Sequence, residues 1–324
     1  MLLNLIEYHW AEQLDDALML LSRTDVKTVP LAGGTYLLGL KDESIQAVVD
    51  LRDLQLAYIS EDAQGIHIGA MTTLQSMVDS PVLKNFAAGL LAQAALASSF
   101  SRLIRSSATI GGTLGAGIAS QADLLTALAV MDASIVMRSG SMTQVNLSGG
   151  TLERPGLALA GVTYKGKEER RIPFSSFYNS ERRPSELIIE VVVPHPGAGC
   201  GASFMRVGRT PTDVALLNAA CLVQIKDDTY QHVHLALGGV NMEPVRLHSF
   251  ERRLEGQPVI NFSTASQQLM AELHESMANF HPPSDFRASN TYRWISGRNL
   301  AYRVFEEASN VARWQNHISS EGGM

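Results

Sequence analysis

The sequence predicts an α+β protein, and three observations lead there. Two glycine-rich junctions, "LAGGT" at 31–35 and "TIGGTLGAG" at 109–117, interrupt apolar segments. From about residue 200, two strand patterns are followed by two helical ones, the order of an α+β domain. Between these parts, Pro194 and Pro196 flank His195 and mark a boundary, which assigns 197–324 to a domain of its own.

The elements follow in order. Leu14, Ala17, Leu18 and Leu21 recur at i, i+3, i+4, i+7 and define one face of a first helix. "KTVPLAGGTYLL" reads as a short apolar strand, a glycine turn and a second apolar run, and "IQAVVDLRDL" and "GIHIGAMTTL" as further strands. The segment 82–104, with Leu83, Phe86, Leu90, Ala94 and Ala97 on one side, predicts a single helix running into the second glycine junction. "DLLTALAVM" after it is helical, and "ASIVM", "LALAGVTYK" and "ELIIEVVVP" are β-rich. In the last domain "ALLNAACLVQI" and "HVHLALGGV" read as strands, and 265–280 and 292–314 as helices.

Composition narrows the class. A formal charge of −6 argues against a nucleic-acid surface, and the dibasic pairs Arg170–Arg171, Arg182–Arg183 and Arg252–Arg253 are scattered enough to read as solvated faces. Cys200 and Cys221 are too few for a disulfide framework or for the four thiolates of an iron–sulfur cluster. No segment reaches the roughly 18 to 20 apolar residues of a membrane span. The expectation is a soluble, cytoplasmic chain.

Glycine pairs serve where backbone must take φ > 0 or where a Cβ would collide with a close neighbour. Successive N–H groups in such a turn form an anion-binding concavity, strengthened by a following helix N-terminus. Two such junctions suit an extended diphosphate. On this view valine at Gly33 or Gly112 costs ligand affinity more than stability. "GAGIAS" at 115–120 nearly matches a dinucleotide fingerprint, but the apolar strand and the acidic partner that fingerprint requires are both missing.

The stretches "YHWAEQLDDALMLLS", "VPLAGGTYLL", "SSFSRLIRSSATIGGTL", "ELIIEVVVP", "SFMRVGRTPTDVALLNAA" and "YRWISGRNLAYRVFEEA", in this order and spacing, resemble the FAD-binding medium subunit of the molybdenum hydroxylases. The likeness covers nearly the whole chain. It implies an FAD-binding domain of the vanillyl-alcohol-oxidase (PCMH) type, with α/β subdomains at 1–60 and 61–196, and a C-terminal α+β domain of the CO dehydrogenase flavoprotein type. It further implies cofactor contacts from Leu31, Ala32, Gly33, Gly34, Thr35 and Tyr36 in the first loop. In the second they come from Thr109, Ile110, Gly111, Gly112, Thr113 and Gly115. Asp123 falls at the adenosine end and Leu187 and Ile188 at the flavin edge, with Arg206 in the C-terminal domain. Thr113 stands where the family carries Asn, "ASQAD" replaces a Ser-Pro ahead of the aspartate, and Met205 precedes Arg206 where the family's xanthine dehydrogenase has a lysine.

The implied role is electron transfer within a complex. A [2Fe-2S] small subunit delivers electrons taken from substrate at a molybdenum-cofactor large subunit, and FAD passes them to NAD+, O2 or another acceptor. Two rivals stand beside this: a self-sufficient FAD oxidoreductase, and a cofactor-free member serving as an assembly module. His232 and His234 form an H-x-H on one strand face but lack a third ligand, so no metal is assigned. His195 reads as a boundary residue, Cys200 as a small loop residue, and no side chain is a committed acid or base.

Overall fold

The computed structural model describes residues 2–117, 122–144, 162–181, 185–210, 212–241 and 243–321. β1 (Glu7–Trp10), β2 (Thr28–Leu31) and β3 (Ala47–Asp50) form a parallel sheet in the order β1-β3-β2. All four residues of β3 are buried, which explains the unbroken apolar run "AVV" in the central strand. Helix α1 (Leu14–Leu21) buries Ala17, Leu18, Leu20 and Leu21 against Val49, Leu51, Leu54 and Leu187. That one apolar face ties the small sheet to the next layer.

The second sheet is antiparallel, in the order β4-β5-β8-β6-β7, from β4 (Ile59–Asp62), β5 (Gly65–Gly69), β6 (Ser134–Gln144), β7 (Val162–Pro173) and β8 (Glu186–Val193). The domain limit expected at residue 60 falls within β4. Between β5 and β6 lie α2 (Leu74–Asp79), α3 (Pro81–Asn85), α4 (Leu90–Ala97), α5 (Arg102–Ser107), α6 (Ile110–Ala116) and α7 (Ala122–Val130). The short α8 (Phe174–Phe177) follows β7.

The third sheet is β9 (Cys200–Val207), β10 (Leu217–Lys226), β11 (Thr229–Gly238) and β12 (Val245–Arg246), antiparallel in the order β12-β11-β10-β9. Along β10, Ala220 and Leu222 face the core shared with α4, α6 and α7, while Ala219, Cys221 and Val223 face a second core. The second core is closed by α9 (His248–Leu254), α10 (Phe262–Ser276) and α11 (Asn290–Glu321). Burial on both faces explains why "ALLNAACLV" shows no polar alternation.

Three expectations change. The single helix over 82–104 is three helices: Ala87 and Ala88 take φ of 46° and 53° and break the chain before α4, and a second break at 98–101 separates α4 from α5. Ser80 and Ser101 then cap fresh starts by accepting the Leu83 and Ile104 amides. Apolar periodicity survives such a break, because the pieces still pack on one core. The second glycine junction, expected as a loop, is itself helix α6. Of the strand expected in "LALAGVTYK", 157–161 lies outside the described residues. Strands β4 and β9 carry no clear period of two and escape a pattern reading, while β1, which alternates polar and aromatic residues, is only four residues long. Cys200, read as a loop residue, begins β9, buried, with its thiol donating to the Pro196 carbonyl at 3.0 Å.

Candidate functional site

Strand β2 ends at Leu31, and the chain then turns through Ala32–Tyr36 into a 3-10 turn at Leu37–Gly39. Gly34 takes φ +70°, which an L side chain resists. Gly33 has a different reason to be glycine: a Cβ there would strike the Ser107 carbonyl oxygen at the end of α5. The two glycine junctions are therefore packed backbone to backbone. This corrects the expectation for Gly33, because bulk there costs the fold as well as the ligand.

The amides of the two junctions are in opposite states. In α6, Ile110 N–H donates to the Thr72 carbonyl at 3.0 Å and Gly111 N–H to Ala70 at 2.9 Å. Gly112 N–H donates to Thr109 Oγ1 at 3.0 Å and Thr113 N–H to the Thr109 carbonyl at 2.9 Å. The first turn of that helix has no free donor. Among the described residues, the amides of Gly33, Gly34, Thr35 and Tyr36 donate to no protein acceptor. Gly33 and Gly34 are half-buried and Thr35 and Tyr36 exposed, so water can pair these amides, and a run of four unspent donors beside a cavity is available to a ligand with several acceptor oxygens.

That cavity, of about 390 Å³, lies where both junctions meet β8. Of the residues expected at the site, it is lined by Ala32, Gly33, Gly34, Thr35, Tyr36, Thr109, Gly111, Gly112, Thr113, Gly115, Leu187 and Ile188. Leu31 and Ile110 lie outside the lining; the first ends β2 opposite Asp50, and the second is fully buried in the core. Asp123 and Arg206 also lie outside it.

Pattern reading missed Lys27, Asp42, Met71, Met137, Phe177 and Glu186 in the wall. Lys27 Nζ meets Asp42 Oδ2 at 3.1 Å and Ser44 Oγ at 2.6 Å. The Ser44 hydroxyl and amide, then Lys27, hold the Asp42 carboxyl down at about 2. Glu186 is paired with Arg170 at 2.6 Å, so Arg170 is part of the wall's support rather than a solvated face. The sequence signal for the charged ones was weak: the Lys27–Asp42 and Arg170–Glu186 pairs each join residues more than ten positions apart. Met137 enters through a register shift in the β6–β8 ladder, which pairs it with Ile188.

Asp123, on α7, is 2% exposed and accepts from Asn218 Nδ2 at 2.9 Å, with Arg206 Nε at 3.9 Å. Thr126 Oγ1 donates to Asn218 Oδ1 at 2.6 Å, completing a buried polar chain from α7 to β10. Gly238, opposite Asn218 in the ladder, leaves room for it. Burial raises the Asp123 carboxyl to about 6, against the pull of Arg206 and Asn218. A raised folded-state value means the native chain binds the proton more tightly than the unfolded one, so stability falls as pH rises from about 3.8 to about 6. The flavin-free Asp123→Asn variant is expected to melt higher than wild type at pH 8, by roughly 2–3 kcal/mol. Above about pH 4 it should lack the wild-type decline; equal pH slopes in the two melting series would contradict this.

His232 is exposed and His234 Nδ1 lies 2.8 Å from the Val130 carbonyl, so the two rings, 6.3 Å apart, serve different neighbours. Among the described residues, no group of three or more His, Cys, Asp or Glu side chains could hold a metal ion. No helix among them is long and apolar enough to cross a membrane.

Residues 4–149 match the FAD binding domain in molybdopterin dehydrogenase, and 202–308 match the CO dehydrogenase flavoprotein C-terminal domain. The chain belongs to the FAD-binding subunits of the molybdenum hydroxylases. Within this family it is 25% identical to the glyceraldehyde dehydrogenase medium chain of Sulfolobus acidocaldarius, over 93% of this chain and 98% of that one. The carbon monoxide dehydrogenase medium chain of Hydrogenophaga pseudoflava is 24% identical, over 93% and 96%. A solved structure of carbon monoxide dehydrogenase from Hydrogenophaga pseudoflava, in a form that lacks the Mo-pyranopterin moiety of the molybdenum cofactor, has a chain with the same fold. The TM-score is 0.77 at 23% identity, covering 94% of this chain and 97% of that chain. Quinoline 2-oxidoreductase from Pseudomonas putida 86 gives 0.76 at 22%, covering 95% and 98%. This family is one of oxidoreductase subunits, and FAD is its cofactor here.

Proposed function

We propose that this chain is the electron-transfer subunit of a molybdenum-containing dehydrogenase, taking electrons from a [2Fe-2S] small subunit and passing them to a soluble acceptor such as NAD+. The observation that carries this is the run of unspent amides at Gly33–Tyr36 facing the cavity. Bound FAD supplies the redox chemistry.

The chain's own residues bind and shield. The Gly33–Tyr36 amides hold the diphosphate with Leu31 and Ala32 behind them, while Thr109–Thr113, anchored on Ile110, and Gly115 form the opposite wall. Leu187 and Ile188, with Met137 and Phe177, make an apolar end that excludes water from the flavin edge. Asp123 and Arg206, outside the cavity lining, are assigned to the adenosine end. The lining side chains carry one positive charge, Lys27, against two negative, Asp42 and Glu186. Binding therefore relies on neutral N–H dipoles, and FAD affinity is expected to be weakly salt-dependent.

Three features favour a subunit over a self-sufficient oxidoreductase. All three charged side chains of the wall are in ion pairs, so none stands free as a substrate base. Both cysteines are buried, with their thiols pushed up by burial, Cys200 to about 11, so neither offers a thiolate to a cluster. Leu96, Phe100, Leu103 and Ile104 are exposed on the segment that ends at Ser107 against Gly33, and they supply the apolar surface a donor subunit needs.

Heat release and chromatography of the bound cofactor should give FAD; FMN, or no flavin after reconstitution, contradicts the assignment. The FAD-loaded chain alone should be reduced by dithionite and reoxidised by dyes. It should not oxidise purines, aldehydes, N-heterocycles or carbon monoxide until iron–sulfur and molybdenum subunits are added. Substrate-dependent flavin reduction by the lone chain would refute the subunit role.

A further inference from the structure

Strand β5 ends at Gly69 and leads straight into Ala70, Met71 and Thr72. Ala70 and Met71 line the cavity, and the Ala70 and Thr72 carbonyls accept the Gly111 and Ile110 amides of the second junction. Tyr58 braces this segment. Its amide donates to Thr72 Oγ1 at 3.1 Å, and the Thr72 hydroxyl donates back to the Tyr58 carbonyl at 2.8 Å. The same carbonyl accepts the Gly69 amide at 3.0 Å. The Tyr58 ring lies against Gly69, where an added Cβ would come within 2.7 Å of two ring carbons.

The ring is held in turn from outside. Tyr58 Oη donates to Glu190 Oε2 at 2.6 Å, and Glu190 Oε1, on β8, meets His67 Nδ1 at 3.1 Å. His67, on β5, has its other nitrogen 3.2 Å from Asp62 Oδ1, on β4. The imidazole therefore sits between carboxylates from the strands on either side, with its side chain only 18% exposed. Around this cluster, Glu61 faces His195 at 3.8 Å and Arg138 is paired with Glu169 at 2.8 Å. Burial and Glu190 push the Tyr58 phenol up, so it stays a donor.

We propose that His67, Glu190 and Tyr58 are positioning residues for the cofactor wall: the protonated imidazole holds the segment 70–72, and with it Thr109–Thr113, in the arrangement that binds flavin. The geometry calls for the charged ring. An imidazolium donates from both nitrogens, whereas the neutral ring has one N–H and leaves one of its two carboxylates facing a lone pair. Burial pulls the His67 value down, but Glu190 and Asp62 outweigh it and raise the value above the ordinary 6.5. The coupling is therefore complete below about pH 6.5 and is lost as pH rises through the folded value. It rests on FAD occupying the cavity as proposed above.

The test is FAD titration of the full chain between pH 6 and 9, beside amide exchange of the flavin-free chain. Wild-type affinity should fall about fivefold across that range, the size a part-exposed ion pair supplies. His67→Gln should be flat, at the weaker level. Glu190→Gln, which keeps an acceptor for Tyr58 but removes the charge, should move the decline to lower pH. Asp123, at about 6, titrates in all three chains, so differences between them belong to His67. At pH 6 and without flavin, Tyr58→Phe and His67→Gln should each speed exchange of peptides covering 110–111 about fivefold. A pH-independent wild-type affinity, or a His67→Gln chain that keeps the wild-type decline, overturns the coupling. Unchanged exchange at 110–111 in both variants overturns the relay. Failure of wild type to take up FAD at any pH refutes the proposed function instead, and the exchange comparison still decides the relay.

Discussion

Gly33→Val is expected to lose FAD and to melt well below wild type, by about 3 kcal/mol or more. The new side chain must displace the Ser107 carbonyl, which is backbone and cannot swing aside. Its displacement would part α5 from the first loop and open the cavity between them. Gly115→Ala separates fold from function. A Cβ at Gly115 meets nothing within 4 Å, and the position is helical and lines the cavity. Alanine there should leave the flavin-free chain as stable or up to about 1 kcal/mol more stable. Its FAD affinity should fall about tenfold because the methyl group stands in ligand space. Thermal melts of flavin-free protein and flavin titrations check both. A Gly33→Val chain with wild-type melting would mean that the junctions are not packed as described.

The glycine junctions were legible because glycine is forced wherever backbones approach closely, and that need leaves a mark one residue wide. Which junction would offer its amides was not legible. "LAGGT" and "TIGG" look alike, and the difference lies in the Ala70 and Thr72 carbonyls, which belong to no motif and accept two of the α6 amides from about forty residues upstream, and in Thr109, which accepts the other two. The layered architecture showed in the long apolar runs of β8, β10 and α7. The break at Ala87–Ala88 did not, since alanine is a helix former and takes positive φ here only because the surrounding core holds it. Lys27, Asp42 and Glu186 stayed hidden for a related reason: ion pairs that close over 15 or 16 residues leave no local pattern.

Arg246→Met is expected to destabilise the chain by about 3–5 kcal/mol, because it strands a buried carboxylate. Glu251 is 3% exposed; its two oxygens meet Arg246 Nε and Nη2, each at 2.9 Å, and Oε1 also accepts the Leu235 amide at 2.8 Å. Arg246 Nη1 reaches Asp132 Oδ1 at 2.6 Å, across from the third sheet to the turn after α7. Losing the guanidinium therefore weakens the join between the third sheet and the turn after α7, and leaves buried Glu251 only the His248 ring, 3.0 Å from Oε2, and the Leu235 amide. Arg246→Met with Glu251→Gln should recover most of the loss, because the amide needs no counter-charge and can still accept from Leu235. Denaturant melts of the single and double variants decide it. An Arg246→Met chain within about 1 kcal/mol of wild type would show that the ion pair is dispensable.

The division of labour between the two junctions can be measured directly by amide hydrogen exchange, read by mass spectrometry with and without FAD. In the flavin-free chain, peptides covering 32–37 should exchange fast, and those covering 110–113 slowly, because only the latter amides are already bonded. FAD should slow exchange at 32–37 strongly and change 110–113 little. Protection gained at 110–113 with none at 32–37 would contradict the assignment of the diphosphate to the Gly33–Tyr36 amides.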